Sequence, residues 1–120
     1  MWIASQSGFY SIVRHEKMPD MFMVRSRAAG DLENLRGLPA LADADLPPVV
    51  TTPNADYPCR LVVTGAQKDA IVKALADGID YPNFKSRVHE RPDQAGKNRA
   101  YMEIWSAMRR TEAPGERKDP

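Results

Sequence analysis

Two hydrophobic spacings alternate along this chain, one with the period of a strand and one with the period of a helix. Phe9-Tyr10-Ser11-Ile12-Val13 is aromatic and β-branched and predicts a strand after a break at Gly8. His15 to Asp20, with Pro19, is polar and predicts a turn. Met21 to Arg27 then alternates, placing Phe22, Val24 and Ser26 on one face and Met23, Arg25 and Arg27 on the other. The two strands predict a hairpin. Gly30-Asp31 opens a short helix: Asp31 is placed to cap its first N–H groups, Leu32, Leu35 and Leu38 share a face, and Gly37 and Pro39 stop it. Val49 to Thr52, bounded by Pro48 and Pro53, predicts a third strand at a sheet edge, and Cys59 to Val63 a fourth with Cys59, Leu61 and Val63 facing in.

The helical period takes over at Thr64, which has the capping-box spacing to Gln67 and precedes a stripe of Ile71, Val72, Leu75, Ala76 and Ile79. Asp80 is placed to cap a short helix from about Pro82, with Phe84 and Val88 inside. A last helix spans Gln94 to Arg110, where Tyr101, Ile104, Trp105 and Met108 fall at i, i+3, i+4 and i+7, and Trp105 reads as core. The predicted fold class is α+β. It is a two-layer sandwich of about four mainly antiparallel strands (ββαββα) covered by helices, related to ferredoxin-like arrangements, with an extra C-terminal helix. One domain over residues 1–110 and a charged, disordered tail over 111–120 complete the expectation.

Charge narrows the function. Seventeen Lys and Arg against sixteen Asp and Glu leave a net charge of +1, which excludes a polyanion mimic and a strongly basic nucleic-acid binder. The distribution is uneven: residues 28–80 carry eight acids and four bases, whereas residues 81–110 carry seven bases and three acids. A single cysteine, Cys59, excludes an internal disulfide and a multi-cysteine metal site and suits a reducing cytoplasm. Its place at the start of a strand reads as a small buried hydrophobe. No basic and apolar leader precedes Gly8, and no apolar run reaches the roughly 20 residues that span a bilayer. The expectation is a cytoplasmic protein with no membrane contact.

Recognisable catalytic motifs are absent from the sequence: no phosphate loop, no nucleophile elbow, no His-Glu-x-x-His. His15 and His89 have no second ligand at helical or strand spacing, so neither metal nor cofactor is expected. Asp80, Tyr81 and His89, with Glu90 and Asp93 beside the histidine, keep an enzyme of unrecognised type as the alternative.

Two basic groups suggest binding instead. If the second and fourth predicted strands pair, Arg25, Arg27 and Arg60 project from the face away from the core with Tyr10 beside them, the combination by which sheet modules hold single-stranded nucleic acid. Charge for solubility, or pairing with acids of the middle segment, accounts for the same arginines. Asn83, Lys85, Arg87 and Arg91 form a second group on the connector, backed by Lys97, Arg99, Arg109 and Arg110, although Lys85 and Arg87 do not share a helical face. Met18, Met21 and Met23 offer adaptable surface or core, and a homodimer through Met21, Met23 or Trp105 is an open arrangement.

The blocks Gly8-Phe9-Tyr10-Ser11-Ile12-Val13, Met23-Val24-Arg25-Ser26-Arg27, Asp31-Leu32-Glu33, Asp56-Tyr57-Pro58-Cys59-Arg60, Asp80-Tyr81-Pro82-Asn83-Phe84-Lys85-Ser86 and Tyr101-Met102-Glu103-Ile104-Trp105 resemble a family of short conserved-hypothetical bacterial and mobile-element proteins. The resemblance covers most of residues 1–108 and departs at Cys59, where an aromatic residue is expected, and around Asp43 and Asp45. It implies one compact domain and transfers no catalytic residue. The function expected from all of this is a small non-enzymatic binding protein acting through surface contacts with a protein complex or with nucleic-acid phosphates. One version is a mobile-element inhibitor of a host defence system.

Overall fold

The computed structural model describes residues 1–115, so the expectation of disorder for 116–120 lies outside the described residues. Thr111 to Gly115 continue the last helix as turn and irregular backbone. The chain forms two compact units, Met1–Pro82 and Asn83–Pro120.

In the first unit, five antiparallel strands make one sheet: β1 (Trp2–Ser5), β2 (Gly8–Arg14), β3 (Met21–Ser26), β4 (Val50–Thr51) and β5 (Cys59–Thr64). Their order is β1-β2-β3-β5-β4. The α+β class therefore holds, with five strands rather than four. The extra one is β1. Gly8 is not a break but the first residue of β2, and the two-residue turn Gln6-Ser7 is held by Ser5 Oγ, which accepts from the backbone N–H of Ser7 at 3.2 Å and of Gly8 at 3.3 Å. β4 lies at the edge, as its flanking prolines suggest, and is only two residues long.

Register decides which side chains share a face. Ile12 lies opposite Val24, and Val24 opposite Leu61, so Tyr10, Ile12, Phe22, Val24, Cys59, Leu61 and Val63 fall together on the inner face. Helices α1 (Ala29–Arg36) and α2 (Gly65–Asp77) cover it with Leu32, Leu35, Ile71 and Ala74, and Leu41 from the 3₁₀ turn Pro39–Leu41 closes one end. Each fully buried Leu, Ile or Val here contributes about 1.5–3 kcal/mol. Cys59 is buried among them as a free thiol.

Asp31 does not cap α1. The residue at the cap is Ala28, with no side-chain hydrogen bond, and Asp31 is buried one turn in, where its Oδ2 accepts the Phe9 N–H at 3.2 Å. The backbones approach so closely here that a Cβ on Gly8 would lie 2.6 Å from Asp31 Cβ. Tyr10 completes the junction: its hydroxyl donates to the Asp31 carbonyl at 2.8 Å and lies 2.9 Å from Ser7 Oγ. At the start of α2 the predicted capping box is complete, with Thr64 and Gln67 each accepting the other's backbone N–H. Its stripe ends sooner than the spacing suggests, because Gly78 caps the helix and leaves Ile79 exposed beyond it.

The second unit holds α3 (Phe84–Glu90), a 3₁₀ turn at Ala95–Lys97 and α4 (Asn98–Arg109). Asn83, not Asp80, caps α3, accepting the Ser86 N–H at 2.9 Å. The last helix begins at Asn98 rather than Gln94, since the chain from Pro92 is taken up by a turn and the 3₁₀ segment. Phe84 packs on Tyr101 with ring centroids 5.0 Å apart, and Val88 and Tyr101 are buried. The rest of the α4 stripe is not core. Ile104, Trp105 and Met108 are exposed. At 1.5 Å per residue α3 is about 10 Å long against about 18 Å for α4, so it covers only the first turns of its partner.

Candidate functional site

The outer face of the sheet is where three of the four predicted sheet contacts meet. β3 pairs with β5 in the register that places Arg25 directly opposite Arg60, and β2 places Ser11 opposite Arg25. Continuing across the sheet, Trp2 of β1 lies opposite Ser11. One row thus crosses four strands as Trp2, Ser11, Arg25, Arg60, and ends at Val50 of β4. Neighbouring strands lie about 4.8 Å apart, which sets the pitch of the row.

Two contacts hold the Arg25 guanidinium. Its Nη2 donates to Ser11 Oγ at 2.7 Å, and its Cζ stands 4.6 Å from the centroid of the Tyr57 ring. Arg27, just past the end of β3, also lies 4.6 Å from that centroid, donates from Nη1 to the Asp56 carbonyl at 2.8 Å, and approaches the Asp56 carboxylate at 3.6 Å. The buried Tyr57 ring therefore gathers two guanidiniums, each contact contributing about 0.5–2 kcal/mol. Asp56 offsets the charge of Arg27 only. Arg60 has no carboxylate within ion-pair distance among the described residues, and the Nε of Arg25 is buried without a hydrogen-bond partner. Like charges directly opposite in a sheet repel, so this opposition is destabilising by itself.

Tyr10 does not belong to this face. It is 0% exposed, on the inner side, opposite Ile3 in the β1–β2 register. Phe9 and Ser11 hold the outward positions. The sheet-face aromatics that sequence reasoning missed are Trp2 and Phe9, whose ring centroids are 6.2 Å apart, and Tyr57. Trp2 is 72% exposed. The signal for the first is the run Trp2-Ile3-Ala4-Ser5 ahead of Gly8, which a glycine read as a break conceals.

The connector group disperses. Asn83 is spent on capping, Arg87 pairs with Glu90 at 3.2 Å, and Arg91 with Asp93 at 3.6 Å. Lys85 instead donates to Met102 Sδ at 3.0 Å, with its Nζ 5.6 Å from the Trp105 ring centroid. Of the enzyme alternative, Asp80 accepts from Gln6 Nε2 at 3.3 Å and closes the first unit with Tyr81, while His89 is exposed on α3 in the second. Among the described residues, no group of three or more His, Cys, Asp or Glu is arranged to hold a metal ion, and no helix is long and apolar enough to cross a membrane.

No family model, curated protein or solved structure matches this chain.

Proposed function

We propose that this chain is a small binding protein that holds single-stranded nucleic acid across the outer face of its sheet. The observation that carries the reading is the row Trp2, Ser11, Arg25, Arg60, in which an exposed indole and two opposed guanidiniums stand in register on one surface. A phosphate between Arg25 and Arg60 would remove their mutual repulsion and satisfy planar donors suited to two-point contact. Trp2 and Phe9 would supply stacking surface, which tolerates any base. Arg27, already paired with Asp56, takes the smaller share.

The same reading treats the sheet covered by α1 and α2 as a two-layer sandwich related to ferredoxin-like arrangements in layering. Its order of elements, βββαββα in the first unit, is not their βαββαβ. It also retains a relation to the conserved-hypothetical family that the sequence blocks resemble.

Fluorescence anisotropy of a labelled 12-nucleotide single strand, DNA and RNA in turn, tests the proposal across a salt series. Binding should weaken linearly in log–log form, and Arg25→Ala with Arg60→Ala should lower the slope by about 0.7 for each phosphate that is no longer neutralised. Trp2→Ala should weaken binding by roughly 5- to 150-fold, the equivalent of about 1–3 kcal/mol of stacking, and leave the slope unchanged. Absence of binding at low salt, or an unaltered slope in the double arginine variant, would refute the reading.

A further inference from the structure

The second unit carries a surface that the sheet-face reading does not use. α4 is amphipathic, yet only its first turns are covered, and Met102 (42%), Ile104 (45%), Trp105 (53%) and Met108 (61%) are exposed along it. Trp105 is flanked by cations on two elements: Lys85 Nζ of α3 lies 5.6 Å and Arg109 Cζ 5.4 Å from its ring centroid. Beside it, Trp105, Ser106, Arg109 and Arg110 line a shallow depression of about 180 Å³.

Among the described residues, the cations around this stripe are not in ion pairs. Earlier in the unit each of Glu90, Asp93 and Glu103 has an arginine, in Arg87, Arg91 and Arg99. Lys85, Arg109 and Arg110 have no carboxylate within ion-pair distance among the described residues.

We infer that the exposed face of α4 docks a partner protein through an acidic amphipathic helix, whose apolar side meets Ile104, Trp105 and Met108 and whose carboxylates meet Lys85, Arg109 and Arg110. Tryptophan and arginine are the residue types enriched where such interfaces concentrate their binding energy, and methionine is enriched across them. Helix-in-groove recognition uses anchors at this spacing. Charge selects the occupant: a second copy of this chain, stripe against stripe about a two-fold axis, would crowd both copies' Lys85, Arg109 and Arg110 into one interface. An acidic helix neutralises them.

The test uses the full chain with Trp2→Phe, so that Trp105 is the only indole, and an 18-residue synthetic helix with a leucine stripe flanked by glutamates. Two control peptides replace the glutamates by lysine or the leucines by serine. Titration should shift Trp105 emission to the blue with the glutamate peptide, more weakly at high salt, and with neither control. By anisotropy of the labelled peptide, Trp105→Ala should weaken binding at least tenfold, while Arg109→Glu with Arg110→Glu should transfer the preference to the lysine peptide. Arg25→Ala with Arg60→Ala should change nothing here, which separates this surface from the sheet face. The inference is overturned if the glutamate peptide does not bind, or if both charged peptides bind alike. It is equally overturned if sedimentation shows a dimer that Trp105→Ala dissolves, since the occupant is then a second copy.

Discussion

Tyr10→Phe isolates the junction between the β1–β2 hairpin and α1, because it removes one oxygen and leaves the packed volume almost unchanged. The hydroxyl donates to the Asp31 carbonyl at 2.8 Å and lies 2.9 Å from Ser7 Oγ, in a region where Tyr10 is 0% exposed. A buried hydrogen bond contributes about 0.5–1.5 kcal/mol net. Ser7 keeps Ser5 Oγ at 3.0 Å, and the Asp31 carbonyl, inside α1, keeps its helical N–H donor, so the change deletes one buried hydrogen bond. The expected loss is about 1 kcal/mol. Urea unfolding of a Trp105→Phe background reports on the first unit through Trp2, and with a slope of about 1–2 kcal/mol per molar the midpoint should fall by roughly 0.5–1 M at constant slope. The folded variant should bind single-stranded DNA as tightly as its parent. A loss below about 0.5 kcal/mol would refute the closed network. Weakened DNA binding at full stability would refute the inward placement of Tyr10.

Three smaller experiments bear on the same frame. Gly8→Ala forces a Cβ to within 2.6 Å of Asp31 Cβ and should destabilise the unit by about 1–3 kcal/mol in the same urea assay, since overpacking must separate hairpin from helix. Thr64→Ala removes one side of the capping box and should cost about 1 kcal/mol by thermal melting, with Thr64→Ser restoring most of it. Cys59, 4% exposed between β3 and β4, should react with a thiol reagent only in denaturant; labelling of the native chain at the rate of a free thiol would contradict its burial.

Much of the fold was legible because its segments are short and chemically marked. The faces of β3 and β5, the capping box at Thr64 and the edge position of β4 all follow from alternation, hydroxyl–amide spacing and prolines. The parity of β2 was not legible. Phe9, Tyr10, Ile12 and Val13 are apolar on both sides of the strand, so alternation does not say whether Tyr10 faces in; pairing with Val24 through Ile12 does. Asp31 misled for a related reason, because an aspartate at a helix start is ordinarily a cap and only the arrival of β2 gives it another donor. At the candidate site, Arg25 and Arg60 were found from strand faces, but their direct opposition depends on register. Trp2 and Tyr57 depended on a strand and a turn whose partners lie elsewhere in the chain. The α4 stripe shows the converse limit: period alone cannot tell an apolar face that is covered from one that is not.

The brevity of β4 reaches beyond topology. Pro47 and Pro48 precede it and Pro53 follows, and proline cannot donate to a ladder, so pairing on this side of β5 stops at Val50 opposite Arg60 and Thr51 opposite Cys59. A longer strand here would offer a neighbouring molecule a template for edge-to-edge growth. The prolines leave room for two residues of ladder and little more. They act as a stop against fibril-like extension from the margin nearest the opposed arginines.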